Sequence, residues 1–159
     1  DDLPQGDYFG ELAAIDSAPR SASVMALSDC LVASLPQEQF LALLESHPTI
    51  ALKVMKTLTG IIRTSTDRIM DLSTLAANNR VHADLLRLAK NHMEGNNEAG
   101  ISPIPTHSDI ASRASTTRET VARVLSDLAR NGLVERQKEA LVVLDVGLLS
   151  DMVEEVRGE

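Results

Sequence analysis

The sequence predicts an α+β fold, and three observations predict it. Period-two alternation near the start marks strands, a long proline-free stretch marks one extended helix, and two short capped helices run into a second alternating pair. The 159 residues suffice for one large or two small domains, each with a modest core.

Alternation from Ala22 to Leu27, and again from Leu31 to Leu35, predicts two strands joined by a turn at Ser28-Asp29. Pro36 ends the second, and Gln37 to Glu45 reads as a short helix before His47-Pro48. From Thr49 to about Ala77 there is no proline. Met55, Leu58, Ile62, Ser65, Ile69, Leu72 and Ala76 recur there in steps of three and four. That spacing is a heptad seam, expected of a two-stranded coiled coil, although a helix packed on its own domain carries similar spacing. Asn78-Asn79 interrupts the pattern and is placed to cap the next helix, Val81 to His92. The segment from Glu94 to Pro105 reads as a polar connection.

Thr106 followed three residues later by Asp109 is a helix start, with a hydroxyl to cap a free N–H and an acid at the positive end. A second start follows, with Thr116 three residues before Glu119, and Asn131-Gly132 marks that helix's end. Two short helices joined by the polar turn Ser115-Thr116-Thr117 follow the helix-turn-helix plan, with small Ala111 at the crossing. Val121, Val124, Leu125 and Leu128 share one face of the second helix, so Arg118, Glu119 and Arg123 project from another. Those positions reach base edges when such a helix lies in the major groove of double-stranded DNA, where arginine pairs with guanine and glutamate accepts from cytosine. Leu133 to Arg136, a polar tip, and Leu141 to Leu144 complete a hairpin, hence a wing.

Composition bounds the alternatives. The net charge is −8, yet between Thr106 and Arg136 five arginines meet four carboxylates, a net of +1 that leaves −9 elsewhere. An acidic body with a less acidic tip presents one end to DNA. Aromatics are 2%, too few for stacking platforms on single strands. Cys30 is the single cysteine, which excludes a disulfide framework or zinc ribbon within one chain. With no signal peptide and no apolar run of membrane-spanning length, the expectation is a cytoplasmic protein with no membrane partner. No Ser/His/Asp set, metal-ligand spacing or Walker loop supports an enzyme built on Glu11, Arg20 or His82, and no metal is expected. An interaction module without DNA binding has no need of Arg118 and Arg123 together.

The segment from Gly10 to Ala22 has its own logic. A glycine, helix-starting residues and one arginine beside a hydroxyl can cradle a single phosphate, leaving Glu11 free to accept from a sugar hydroxyl. Here Phe9-Gly10-Glu11-Leu12 through Pro19-Arg20-Ser21-Ala22 resembles the phosphate-binding cassette of the cyclic-AMP receptor protein/FNR superfamily of bacterial regulators. The resemblance implies that Gly10 and Glu11, with Leu12 beside them, hold a ribose and that Arg20 and Ser21 hold a cyclic phosphate. Ser65-Thr66 falls where the family has a hydroxyl pair contacting adenine, although Ser65 also fits a polar register-setting position in the seam. Thr117 to Arg123 is similar to the family's recognition helix, which reads TGTGA-like half-sites, and by resemblance Thr106, His107, Thr117 and Thr120 touch phosphates. The resemblance therefore implies a homodimeric transcription regulator with cyclic AMP as effector and RNA polymerase as a further partner. The alternative is a regulator of the same family with no effector or a different one. A single cysteine excludes the iron–sulfur kind, and no motif supports a haem kind. The implied plan is a partial cyclic-nucleotide-binding β-roll over 1–48, a dimerisation helix over 49–78 and a winged helix-turn-helix domain over 79–159. Two departures stand out. Ser115 takes a turn position where the family commonly has glycine, and only eight residues precede the Phe-Gly-Glu-Leu motif, so the expected roll is a truncated half with unpaired edges.

Overall fold

A computed structural model describes residues 3–93 and 95–158. The chain forms two compact units, one up to Ile61 and one from Ile62 onward. The first holds helices α1 (Glu11–Asp16) and α2 (Gln37–Ser46) and the start of α3 (Pro48–Thr74). Its apolar side chains are largely exposed, and Val54 is its one buried hydrophobic residue among those described. The strands expected at 22–27 and 31–35 are not formed. Both segments run without ladder partners, and Met25, Leu27 and Leu31 are exposed. Alternation encodes a strand only where a neighbouring backbone takes up its N–H and C=O groups, and no described segment of this unit does so.

The helix α3 departs from expectation at its end. Its last helical residue is Thr74, so Ala76, expected as the final seam position, lies outside the helix in extended backbone. Thr57, Thr59, Thr66, Ser73 and Thr74 each donate to the carbonyl four residues back, which satisfies five hydroxyls on the helix itself. The remaining seam is unpartnered in a single chain, with Ile62 65% and Ile69 63% exposed.

The second unit carries the core. Helix α4 (Ala77–Asn91) buries Val81, Leu85, Leu86 and Ala89. Its N-cap is Ala76 and makes no side-chain bond, so the expected asparagine cap is absent. The side chain of Asn78 instead accepts from Arg123 at 3.2 Å. Helices α5 (His107–Arg113) and α6 (Arg118–Arg130) pack with α4 through Ile110, Ala111, Val121, Val124 and Leu128.

Two elements were absent from the sequence expectation. Within the supposed connection, Ala99–Ile101 forms β1, which pairs antiparallel with β3 (Leu141–Val143); β2 (Val134–Arg136) flanks β3 on the other side. The tail folds as α7 (Val146–Arg157) and buries Val146, Leu149 and Val153. Its N-cap Asp145 accepts from Leu148 N at 2.8 Å and from Asn97 Nδ2 at 2.7 Å, bonds that hold the carboxyl below the usual carboxylate range.

Among the described residues of this unit, two carboxylates are buried. Asp84 of α4 accepts from Arg113 Nε at 3.0 and 3.1 Å. Burial pushes its carboxyl up, opposed by Arg113, Arg87 and Arg68. Asp71 of α3 accepts from Arg87 and Arg157. His82 is half-buried on α4, and desolvation lowers its basicity. A depressed imidazole stabilises the fold fully above its unfolded value, and that stability is lost as pH falls through the folded value. Melting temperature is therefore expected to drop as pH is lowered from about 6.5, and His82→Gln should flatten that part of the profile in a thermal-melt series.

Candidate nucleic-acid interface

Helix α5 begins with a complete capping box. Thr106 Oγ1 accepts from Asp109 N at 3.2 Å, and Asp109 Oδ2 accepts from Thr106 N at 3.0 Å. Thr106 Oγ1 also donates to that carboxylate at 2.5 Å, so its proton is held within the cap. These bonds keep the carboxyl of Asp109 below its ordinary range. His107 follows, exposed in the first turn.

Helix α6 is capped one residue later than the spacing suggested. Thr117, not Thr116, is the N-cap and accepts from Thr120 N at 3.2 Å, while the two threonine hydroxyls lie 3.2 Å apart. The buried face of α6 is Val121, Val124 and Leu128, with Leu125 half-buried against the core. Arg118, Glu119 and Arg123 are therefore left exposed on the other side. Arg118 forms no hydrogen bond or ion pair among the described residues. Glu119 is held ionised below its ordinary value by its own backbone N–H and by the Thr117 hydroxyl. Among the described residues, Arg123 reaches only Asn78. The helix ends as expected, with Asn131 as C-cap and Gly132 at φ 70°, after which Leu133 N donates to Leu128 O at 2.9 Å. The hairpin of β2 and β3 pairs Val134 with Val143 and Arg136 with Leu141, and Gln137 N closes its tip onto Ala140 O at 2.9 Å.

The turn between α5 and α6 carries the strain that its sequence implied. Ser115 sits at φ 47°, in the left-handed region. Arg80 of α4 holds it there. Its Nε donates to Ala114 O at 2.8 Å, Nη2 to Ser115 O at 2.9 Å and Nη1 to Leu75 O at 2.8 Å. One guanidinium thus ties the turn between α5 and α6 to the residue that follows α3. Sequence reasoning missed Arg80, because two of its partners lie 34 and 35 residues away and no local pattern announces them.

In the first unit, Gly10 caps α1 at φ 89°. Arg20 Nη1 donates to Gly10 O at 2.7 Å, and a Cβ at Gly10 would lie 1.7 Å from that nitrogen. The left-handed backbone is what calls for glycine here, since a Cβ would meet only the guanidinium at the flexible end of Arg20. Gly10, Glu11, Leu12, Arg20 and Ser21 line an open depression of about 620 Å³, bordered by Lys53 and Thr57 of α3. Ser65 and Thr66 are exposed on α3 within the second unit, and the Thr66 hydroxyl is bonded to Ile62 O at 3.0 Å.

Comparison with known proteins agrees with this layout. The Crp-like helix-turn-helix domain matches residues 79–152, and the cyclic nucleotide-binding domain matches residues 1–47. A cyclic AMP receptor protein of Thermus thermophilus is 33% identical over 94% of this chain and 67% of its own length. The chain belongs to the CRP/FNR family of transcription regulators. A solved CRP/FNR-family regulator, also from Thermus thermophilus, shares 27% identity at a TM-score of 0.53, over 67% of this chain and 55% of that one. A CooA mutant from Carboxydothermus hydrogenoformans shares the fold at a TM-score of 0.63 and 22% identity, over 73% of this chain and 54% of that one. This CRP/FNR member thus spans about two thirds of the curated relative's length and about half of these solved chains. The family is one of regulators rather than enzymes. Among the described residues, no helix of this member is long and apolar enough to cross a membrane.

Arg80 is the residue on which this arrangement is most directly tested. Arg80→Lys should lose at least one of three charge-assisted bonds and cost about 1.5–3 kcal/mol, read as a shift of the denaturation midpoint at unchanged slope.

Proposed function

We propose that the chain binds double-stranded DNA in a sequence-specific manner through α6, as a homodimer joined along the exposed seam of α3. The observation that carries this reading is the division of α6: Val121, Val124 and Leu128 are buried, while Arg118, Glu119 and Arg123 face solvent. Arg118 and Arg123 are the guanine readers, and ionised Glu119 accepts from cytosine. His107 and the threonines at the helix starts, Thr106, Thr117 and Thr120, set the register against phosphates, where helix N-termini favour anions. Thr106 contributes through the backbone at its helix end, since its hydroxyl proton stays within the cap.

The effector of this reading is a cyclic nucleotide, with cyclic AMP favoured, seated where Gly10, Glu11, Leu12, Arg20 and Ser21 share one depression. Arg20 brings a guanidinium suited to a phosphate, and Glu11 an acceptor suited to a ribose hydroxyl. Ser65 and Thr66 supply hydroxyls for the base. A cytoplasmic location and RNA polymerase as a further partner complete the reading, both drawn from the family.

Binding-site selection followed by titration of single-base variants tests the DNA half. Arg118→Ala should flatten the preference at one guanine per half-site, a loss of about 1–3 kcal/mol of discrimination. Thr120→Ala should weaken all sequences by a similar factor, because a phosphate contact carries no base information. An unchanged base preference in the Arg118 variant removes α6 as the reading helix. Isothermal titration with cyclic AMP and cyclic GMP tests the effector half. Binding by a version extended to the relatives' full length and its loss in Arg20→Ala is the expected result, and a silent titration of that extended version with both nucleotides refutes it.

A further inference from the structure

The tail helix α7 reaches a buried acid. Asp71 lies in the final turn of α3, and its side chain keeps only 3% of its surface. Arg87 Nη1 of α4 donates to one carboxylate oxygen at 2.6 Å, and Arg157 Nη2, from the last residue of α7, donates to the other at 2.6 Å. One anion is therefore shared by two cations that lie 16 and 86 residues away in the sequence. A buried carboxylate needs such partners, since burial without them removes its hydration with nothing in return.

The position of this node matters as much as its chemistry. Asp71 stands one turn before the break at Leu75-Ala76, where α3 gives way to α4, and Asp71 O closes that turn by accepting from Leu75 N at 2.9 Å. Arg80 ties Leu75 to the turn ahead of α6. The joint between α3 and the reading module is thus gripped from α4, from the turn and from α7. Arg87 and Arg157 bond different oxygens, so the loss of Arg157 leaves Asp71 a partner and the core intact. Arg157 is also the more accessible of the two, with 31% of its side chain exposed against 22% for Arg87.

We propose that Arg157 and Asp71 form a latch through which α7 fixes the angle of the reading module against the end of α3. In the dimer this angle sets the separation of the two reading helices. This inference rests on the dimeric DNA-binding reading above. Two recognition helices must enter major grooves about 34 Å apart, so a looser joint widens the range of spacings accepted without altering how each half-site is read. Arg157 is in this sense a positioning residue.

The test uses the full chain and three DNA duplexes: the selected palindrome, the same palindrome with its half-site spacing changed by one base pair, and a single half-site. Arg157→Gln should bind the single half-site like the unaltered chain, yet lose about tenfold of its preference for the native spacing. Arg157→Lys, which keeps the charge but not the planar fork, should show an intermediate preference. In an Asp71→Asn background the Arg157→Gln change should add nothing. An unaltered spacing preference in Arg157→Gln overturns the latch. Equal weakening on all three duplexes also overturns it, because Arg157 then supports only the fold. If Arg157→Gln does not fold by circular dichroism, Arg157→Lys decides, and a wild-type spacing preference in that variant overturns the proposal. If the unaltered chain gains nothing from a palindrome over a half-site, the dimer reading itself fails, a result that none of the latch variants can mimic.

Discussion

Helix α4 is the surface on which the second unit is assembled. Val81, Leu85 and Ala89 lose essentially all their exposure, and α5, α6, α7 and β1 each pack against the helix that carries them. Removing one large side chain from such a position leaves a cavity that its neighbours close only partly. The same helix brings the buried Asp84 to Arg113, Arg87 to Asp71, and Arg80 to the turn before α6. Its apolar stripe and its polar anchors therefore act together. The first supplies the drive for burial, and the second fixes which way the packed helices point.

That division of labour explains how a chain of net charge −8 can present a helix suited to an anionic partner. Four arginines of the second unit outside α6 are bound internally: Arg80 to carbonyls, and Arg87, Arg113 and Arg157 to buried carboxylates. Arg118 keeps its charge for an outside partner because the apolar face of α6 turns it outward. Electrostatic potential at this surface depends on where the charges are left unpaired, more than on their sum.

The helix pair α5 and α6 was legible because its signals are local. Thr106 with Asp109, the apolar spacing from Val121 to Leu128, and Asn131-Gly132 each act over one or two turns, and each lies where its spacing implied. The exceptions were shifts of one residue, such as the cap at Thr117 in place of Thr116. Strand β1 was missed because Ala99-Gly100-Ile101 has little strand propensity and is held by pairing with Leu141–Val143 some forty residues on. Helix α7 could have been found from Asp145 as a cap followed by Val146, Leu149 and Val153 at helical spacing. The strands at 22–27 and 31–35 failed for the opposite reason: their alternation is clear, but they have no ladder partner among the described residues. For the cassette, the glycine, acid, arginine and serine could be picked out by resemblance, whereas the contact of Arg20 with Gly10 could not.

The sequence by itself determined the class of fold, the family, and which face of α6 is buried. The buried face of α6 follows from short-range periodicity and capping chemistry, which need no distant partner. The family follows from the resemblance of its motifs, and the class of fold from the two together. Tertiary structure alone decided that α3 stops at Thr74, that Ser115 is held at positive φ by Arg80, and that Asp71 is shared between Arg87 and Arg157. The last two depend on arginines meeting partners up to 86 residues away in the sequence. Nothing in the local pattern of either partner specifies such a meeting.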